Sequence, residues 1–353
     1  MEQNTPDRRT RFLVWGALAT VYVVWGSTYL GIAVTVESFP PLLSGAIRFV
    51  VAGLLLGGVV LARSGVQAFR MTRRQLFGAA VVGVLLLTLG NGMVAVSEQF
   101  ISTGLAALLV ASVPLWLVLF RIAVRDRPKL LTLAGVLVGL AGVAALSLTG
   151  AQAGSTFGIV VILFGSLSWS VGSFLSSRIA MPANPFAAST VEMLVGGVGL
   201  TVLGTGAGER LHLEAITGRS WVALAYLVVV GSLIGFTAFS WLLGHAPISL
   251  ISTYAYVNPV VAVVLGAIVL SEAVTAQIVV GGLVILVGVA LVISTERRGS
   301  PSREDLGEAA ATGSGPTQEA AHHEQERHAQ ERHAQERHAQ ERRERGRREA
   351  ERR

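Results

Sequence analysis

Cysteine is absent from all 353 residues. That excludes a disulfide framework, a thiolate metal site and a thiol redox centre. Lysine is nearly absent: Lys129 stands alone against 27 arginines. No lysine lies within an apolar run, so a retinal Schiff base has no anchor. The only aspartates, Asp7, Asp126 and Asp305, all fall outside apolar runs, which removes an intramembrane aspartyl dyad. No G-x-x-x-x-G-K-[ST] cradle occurs, so ATP hydrolysis by this chain is not expected. His212 and His245 sit at loop positions, out of register with any intramembrane Ser–His pair. These shortages argue against an enzyme, and they imply no cofactor and no metal site.

Charge is also scarce, at 14% of residues, where soluble domains carry roughly 25%. Just over half of it lies in the last stretch, from Glu296 onward, where acids and bases balance. The net charge of +6 therefore belongs to the body of the chain. Its basic residues fall in short loops between apolar runs, a pattern for a membrane rather than for nucleic acid.

What the chain has is apolar sequence: 52% of residues, with mean hydropathy +0.60. A membrane-spanning helix needs ~20 mostly apolar residues. Ten such runs are present: 12–34, 41–62, 75–97, 101–122, 130–149, 156–178, 185–206, 220–243, 247–270 and 276–295. The first follows Arg8, Arg9 and Arg11, is too long for a signal-peptide core and lacks a cleavage pattern, so it reads as a retained helix. With the N-terminus inside, fourteen basic residues fall on the cytoplasmic side and only Arg210 and Arg219 outside. Both termini are therefore expected in the cytoplasm. The RHAQE repeats from Arg327, Arg332 and Arg337 mark residues 296–353 as a disordered, charged, cytoplasmic tail.

An internal repeat organises the rest. Trp25 and Trp169 are 144 residues apart, as are Pro41 and Pro185, Arg48 and Glu192, and Gly53 and Gly197. The offset becomes 145 at Gly90 and Gly235 and at Pro114 and Pro259, then 146 at Asp126 and Glu272, Gly135 and Gly281, and Gly142 and Gly288. A steady drift of this kind indicates a duplicated unit with two small insertions. The units are 12–149 and 156–295, after a cytoplasmic N-terminus of 1–11. Each holds five helices. Five is odd, so the second unit enters the membrane from the opposite side. The expected fold is all-α and polytopic: ten transmembrane helices as two inverted five-helix repeats. In such folds the substrate site lies near the midplane, between the repeats.

That geometry selects candidate residues. Arg48 and Glu192 each lie about eight residues, or on the order of 12 Å, into their helices. Intramembrane ions are costly, face the interior and pair. Three readings follow: a static Arg48–Glu192 pair, a substrate carboxylate on Arg48, or proton coupling at Glu192. Asn91 and Asn258 interrupt apolar helices, as interhelical ties or cavity lining. Trp25, Trp169, Trp116, Tyr254 and Tyr256 are candidates to enclose a substrate. Pro114 and Pro259 are expected to break their helices. Glu98 and Glu272 read as boundary residues in contact with water. Gly135 and Gly139 form a GxxxG, and the tenth run is likewise glycine-bearing, so a packing pair or a homodimer contact is a candidate use.

Several stretches then resemble a known family. They are WGSTYLGIAV (25–34), PPLLSGAIRFVVAGLLL (40–56), NGMVAVSEQFISTGLAALLVASVPLW (91–116), VEMLVGG (191–197) and STYAYVNPVVAVVLG (252–266). They resemble the EamA family of the drug/metabolite transporter superfamily, nearest to its YedA-type exporters, over about 12–295. The resemblance implies ten helices, cytoplasmic termini and export of amino acids, related metabolites or toxic compounds across a bacterial inner membrane. No family-wide catalytic motif comes with it. The expected partners are a small-molecule substrate and the lipid bilayer, with protons as a candidate coupling ion. Two other readings stay open: a facilitator or importer of the same fold, and a membrane scaffold acting through its charged tail.

Overall fold

A computed structural model describes residues 8–125, 128–152, 156–246, 248–251 and 253–297. Asp126, Ser252 and the tail beyond Arg297, with its RHAQE repeats, lie outside the described residues, as do residues 1–7. The described residues form helices and no strands. We number the helices α1 (Arg8–Val36), α2 (Pro41–Ser64), α3 (Arg73–Ser97), α4 (Thr103–Ala123), α5 (Leu130–Gln152), α6 (Thr156–Ser176) and α7 (Pro185–Gly206). Then come α8 (Gly218–Tyr226, continuing through Leu227–Ile234 and Gly235–His245), α9 (Tyr254–Val269) and α10 (Ala276–Arg297). Nine of these are long and apolar enough to cross a membrane, and Tyr254–Val269 is a shorter apolar helix.

Local sequence sets the helix starts. Pro41 and Pro185 occupy the first turn of α2 and α7, where a missing N–H costs nothing. Thr72 caps α3 in a reciprocal box with Gln75, and Asn184 accepts from Phe186 and Ala187 at the start of α7. Two starts are capped from a distance. The Glu209 carboxylate accepts from Leu42 N and Leu43 N at α2, at 3.1 and 2.9 Å. The Glu272 carboxylate accepts from Thr103 N (2.8 Å), Thr103 Oγ1 and Gly104 N at α4. Glu272, expected from sequence as a boundary residue in contact with water, is partly exposed in the loop before α10 and in addition caps α4. Hydrogen bonds to charged groups contribute about 1.5–3 kcal/mol. Glu272→Ala is therefore expected to lower thermal stability in detergent by an amount in that range, whereas Glu272→Gln should recover part of it.

Packing alternates between the two halves of the chain. α2 lies against α7, and α5 lies against α10, each along its length. α1 packs on α8 and α9; α6 packs on α3 and α4. Glycines let α5 and α10 touch. A Cβ at Gly135 would sit 2.9 Å from the Gly288 carbonyl, and one at Gly142 2.9 Å from Ile285 N. The GxxxG of α5 thus packs on α10 within one chain. Arg125 and Ser271, 146 residues apart, both adopt left-handed φ, at 66° and 55°. A non-glycine residue there is uncommon, and these two stand at the offset that relates Gly135 to Gly281.

The prolines behave differently from expectation. α4 is interrupted at Ala111–Ser112, just before Pro114, which opens the second segment, Val113–Ala123. Pro259 breaks nothing: it lies inside the continuous helix Tyr254–Val269. The interruption falls upstream, between the short helix Ile248–Ile251 and Tyr254. With its amide nitrogen turned toward acceptors, Asn258 donates to the Tyr254 carbonyl at 3.3 Å, which supports the turn that enters the proline.

Candidate functional site

α3 and α8 each carry a π-helical segment, Val84–Asn91 and Leu227–Ile234. Such wider turns are frequent at functional sites because they re-aim side chains. Between the two segments lies Arg48 of α2, only 4% exposed. Its Nε donates to Ser232 Oγ at 3.1 Å, and its Nη1 donates to Asn91 Oδ1 at 3.4 Å. Asn91 ends the first π segment and Ser232 lies within the second. The guanidinium carbon also stands 4.8 Å from the Phe49 ring centroid. One buried cation therefore joins an α-helix to two irregular turns, one from each half of the chain.

Among the described residues, no ion pair joins Arg48 to Glu192 or to any other carboxylate. The static pair inferred from sequence is absent, because two neutral acceptors on α3 and α8 hold Arg48. Glu192 lies elsewhere, where α7 meets α3. A Cβ at Gly83 would stand 2.6 Å from the Glu192 carbonyl. A cation whose only bonds are to neutral groups keeps its charge available to an anion.

An aromatic cluster adjoins from α1, α8 and α9. Trp25 meets Phe236, Phe239 and Tyr254 with ring centroids at 5.7, 4.9 and 5.3 Å, and Phe239 meets Tyr254 at 5.9 Å. Trp25 also closes on Gly235: a Cβ there would be 2.5 Å from the indole nitrogen. Trp169 makes the corresponding contact on Gly90, at 3.1 Å from its ring. Each tryptophan thus packs against a glycine at a π segment of the opposite half. Trp25, Trp169, Asn91 and Arg48 are brought into one neighbourhood around the π segments.

The remaining candidates divide. Tyr254 belongs to the aromatic cluster. Asn258 is a tie between helices: its oriented amide donates to the Tyr22 carbonyl at 3.2 Å, beside a Tyr22–Thr253 hydroxyl bond. Tyr256 packs at the edge of the large apolar core. Trp116, on the second segment of α4, has a buried indole nitrogen without a hydrogen-bond partner.

Sequence reading missed four groups. Ser232 is the only polar side chain in Leu227–Phe236, and that isolation was its signal. Phe236 and Phe239 are three apart and share a helix face. Glu98, just past the last turn of α3, has both carboxylate oxygens buried and without hydrogen-bond partners, not in water as expected. It lies within electrostatic reach of Arg48 and Glu272.

Comparison with known proteins gives one consistent result. The model of the EamA-like transporter family matches residues 13–148 and again 156–294. "Uncharacterized inner membrane transporter YedA" of Escherichia coli (strain K12) is 41% identical over 255 residues, covering 72% of this chain and 81% of that protein. "Uncharacterized transporter YvbV" of Bacillus subtilis (strain 168) is 24% identical over 317 residues, covering 88% and 99%. A solved crystal structure superposes with TM-score 0.57 at 22% identity, covering 81% of this chain and 99% of that one, and so shares the fold.

Proposed function

The chain belongs to the EamA-like transporter family, and from that premise we propose that it is an inner-membrane secondary transporter exporting small metabolites, amino acids or related compounds, or drugs. The observation that carries the reading is Arg48, a buried cation bound only to neutral groups of two π segments. It offers an anionic substrate group a partner midway through the bundle. The cluster of Trp25, Phe236, Phe239 and Tyr254 would take an apolar portion.

The family match to both halves supports a duplicated unit. Adding Tyr254–Val269 to the nine long helices gives ten spans, five per unit, and hence inverted repeats. The excess of basic residues on one side supports cytoplasmic termini. Alternating access follows if the contacts of Trp25 with Gly235 and of Trp169 with Gly90 open and close in turn, with Arg48 exchanged between neutral partners and substrate. Protons are the candidate coupling ion. A facilitator would use the same site without them.

The lack of native cysteine makes the topology directly testable. Glu37→Cys and Glu214→Cys should label with an impermeant maleimide in intact cells only. Gln67→Cys and Ser177→Cys should label in everted vesicles only. The reverse pattern would overturn the orientation. Everted vesicles should also take up at least one member of a labelled panel of amino acids and cationic drugs. No uptake by well-expressed protein would overturn the transport reading.

A further inference from the structure

We propose that Glu98 is the proton-carrying carboxylate of the transport cycle, and that its charge decides whether Arg48 stays bridged across the two π segments. The inference rests on the transport reading above and adds to it the residue that binds the coupled proton.

Asn91 and Glu98 are seven residues apart, and the turn between them is α-helical. Two turns separate them, about 10 Å along one face of α3. Asn91 holds Arg48 by its oxygen. Glu98 therefore lies on the same stripe, toward the helix end, and senses the Arg48 charge without contacting it. Both its oxygens are buried and lack a donor. A carboxylate so placed favours its protonated form or acquires a cation.

Its surroundings sharpen that choice. Arg48 of α2, Tyr29 of α1 and Glu272 of the turn before α10 are the titratable groups that face it. α6, which packs against the same turn of α3, contributes no titratable side chain. Glu272 is already committed to the start of α4. Among the described residues, Arg48 is the cation whose charge reaches Glu98. The next residue, Gln99, is exposed and lines a pocket of about 270 Å³ with Glu37, Arg210 and His212.

The cycle then follows. Protonated Glu98 is neutral, and Arg48 remains on Asn91 and Ser232. Loss of the proton to water leaves a carboxylate that draws the guanidinium away and frees the two π segments. An anionic substrate binds the Arg48 N–H groups so freed, and a proton returning to Glu98 sends them back to Asn91 and Ser232 and expels the substrate. Proton and substrate are thereby exchanged through one arginine.

The test is infrared difference spectroscopy of the full chain in liposomes during a pH titration, followed by vesicle uptake of the amino-acid and drug panel. Wild type should lose a protonated-carboxyl C=O band as pH rises. The band should be absent from Glu98→Gln, present but shifted in Glu98→Asp, and retained in Glu192→Gln. Glu98→Gln should lose the stimulation of uptake by an inside-acid gradient. A band that survives in Glu98→Gln overturns the proposal. So does an altered choice among substrates with gradient stimulation intact, which would make Glu98 a contact for a cationic substrate group. If the band belongs to Glu98 but no compound is transported, the proton site stands and the transport reading fails. Gradient-independent uptake with no such band would mean the reverse.

Discussion

Arg48→Gln is expected to abolish uptake of every anionic or zwitterionic substrate while leaving the protein folded. Two hydrogen bonds from the guanidinium reach α3 and α8, at 3.4 and 3.1 Å. A hydrogen bond to a charged group contributes about 1.5–3 kcal/mol. A substrate carboxylate that replaced both partners would lose on the order of 3 kcal/mol or more, and each 1.4 kcal/mol is about tenfold in affinity. Uptake at sub-saturating substrate should thus fall about a hundredfold or further. Stability should not fall in parallel. Removing a buried charge also removes its desolvation penalty, and Asn91 and Ser232 can bond to glutamine or to each other. Arg48→Lys separates charge from geometry. Its single ammonium cannot reproduce the planar fork that spans Ser232 and Asn91, so it should recover little transport. Melting temperature in detergent and vesicle uptake are the two readouts. Uptake of the panel at the wild-type rate by Arg48→Gln would remove Arg48 from the site. Loss of uptake that tracks loss of folded protein in both variants would make it a structural bridge only.

The helices were legible in the sequence because their ends carry local signals. Pro41, Pro185 and Thr72 fix starts without reference to the rest of the fold. The matched tryptophans and glycines stood out because contacts between the halves use them: Trp25 meets the glycine at 235 as Trp169 meets the glycine at 90. Arg48 stood out because charge inside an apolar run is rare. Its partners did not. Symmetry pointed to Glu192, the residue at the same place in the other unit, but equivalent residues need not meet. The actual partners depend on π turns that rotate Asn91 and Ser232 toward α2, and no residue pattern announces a π turn. Glu98 was misplaced for a related reason. Counting residues put it at a boundary, whereas the packing of α1, α2 and α6 around the end of α3 buries its oxygens. Pro259 shows the limit of single-residue rules. The chain breaks its ninth helix where Ile251 gives way to Tyr254, and the proline is then carried within a helix supported by Asn258.

Gly288→Ala is expected to be strongly destabilising. A Cβ at 288 would stand 2.5 Å from the Cα of Gly139, 2.7 Å from the Gly135 carbonyl oxygen, and closer still to Gly139 N. All three neighbours are backbone, so no rotamer relieves the contact; α5 and α10 must separate along their length. Separation opens gaps on both sides of the contact, and losses above about 4 kcal/mol arise from overpacking of this kind. Thermal unfolding in detergent should show a large drop in midpoint or no folded protein at all. Gly16→Ala, where nothing lies within 4 Å, should match wild type. Gly288→Ala at the wild-type midpoint would mean that α5 and α10 are not in this contact. Gly235→Ala makes the informative contrast. Its added methyl meets the Trp25 indole, a side chain that can swing aside. The cost should be smaller and should appear in transport before it appears in stability. The difference between the two glycines separates the parts of the bundle. α5 and α10 form a stem locked backbone to backbone. The π segments meet their tryptophans through side chains, contacts that can be exchanged without unfolding.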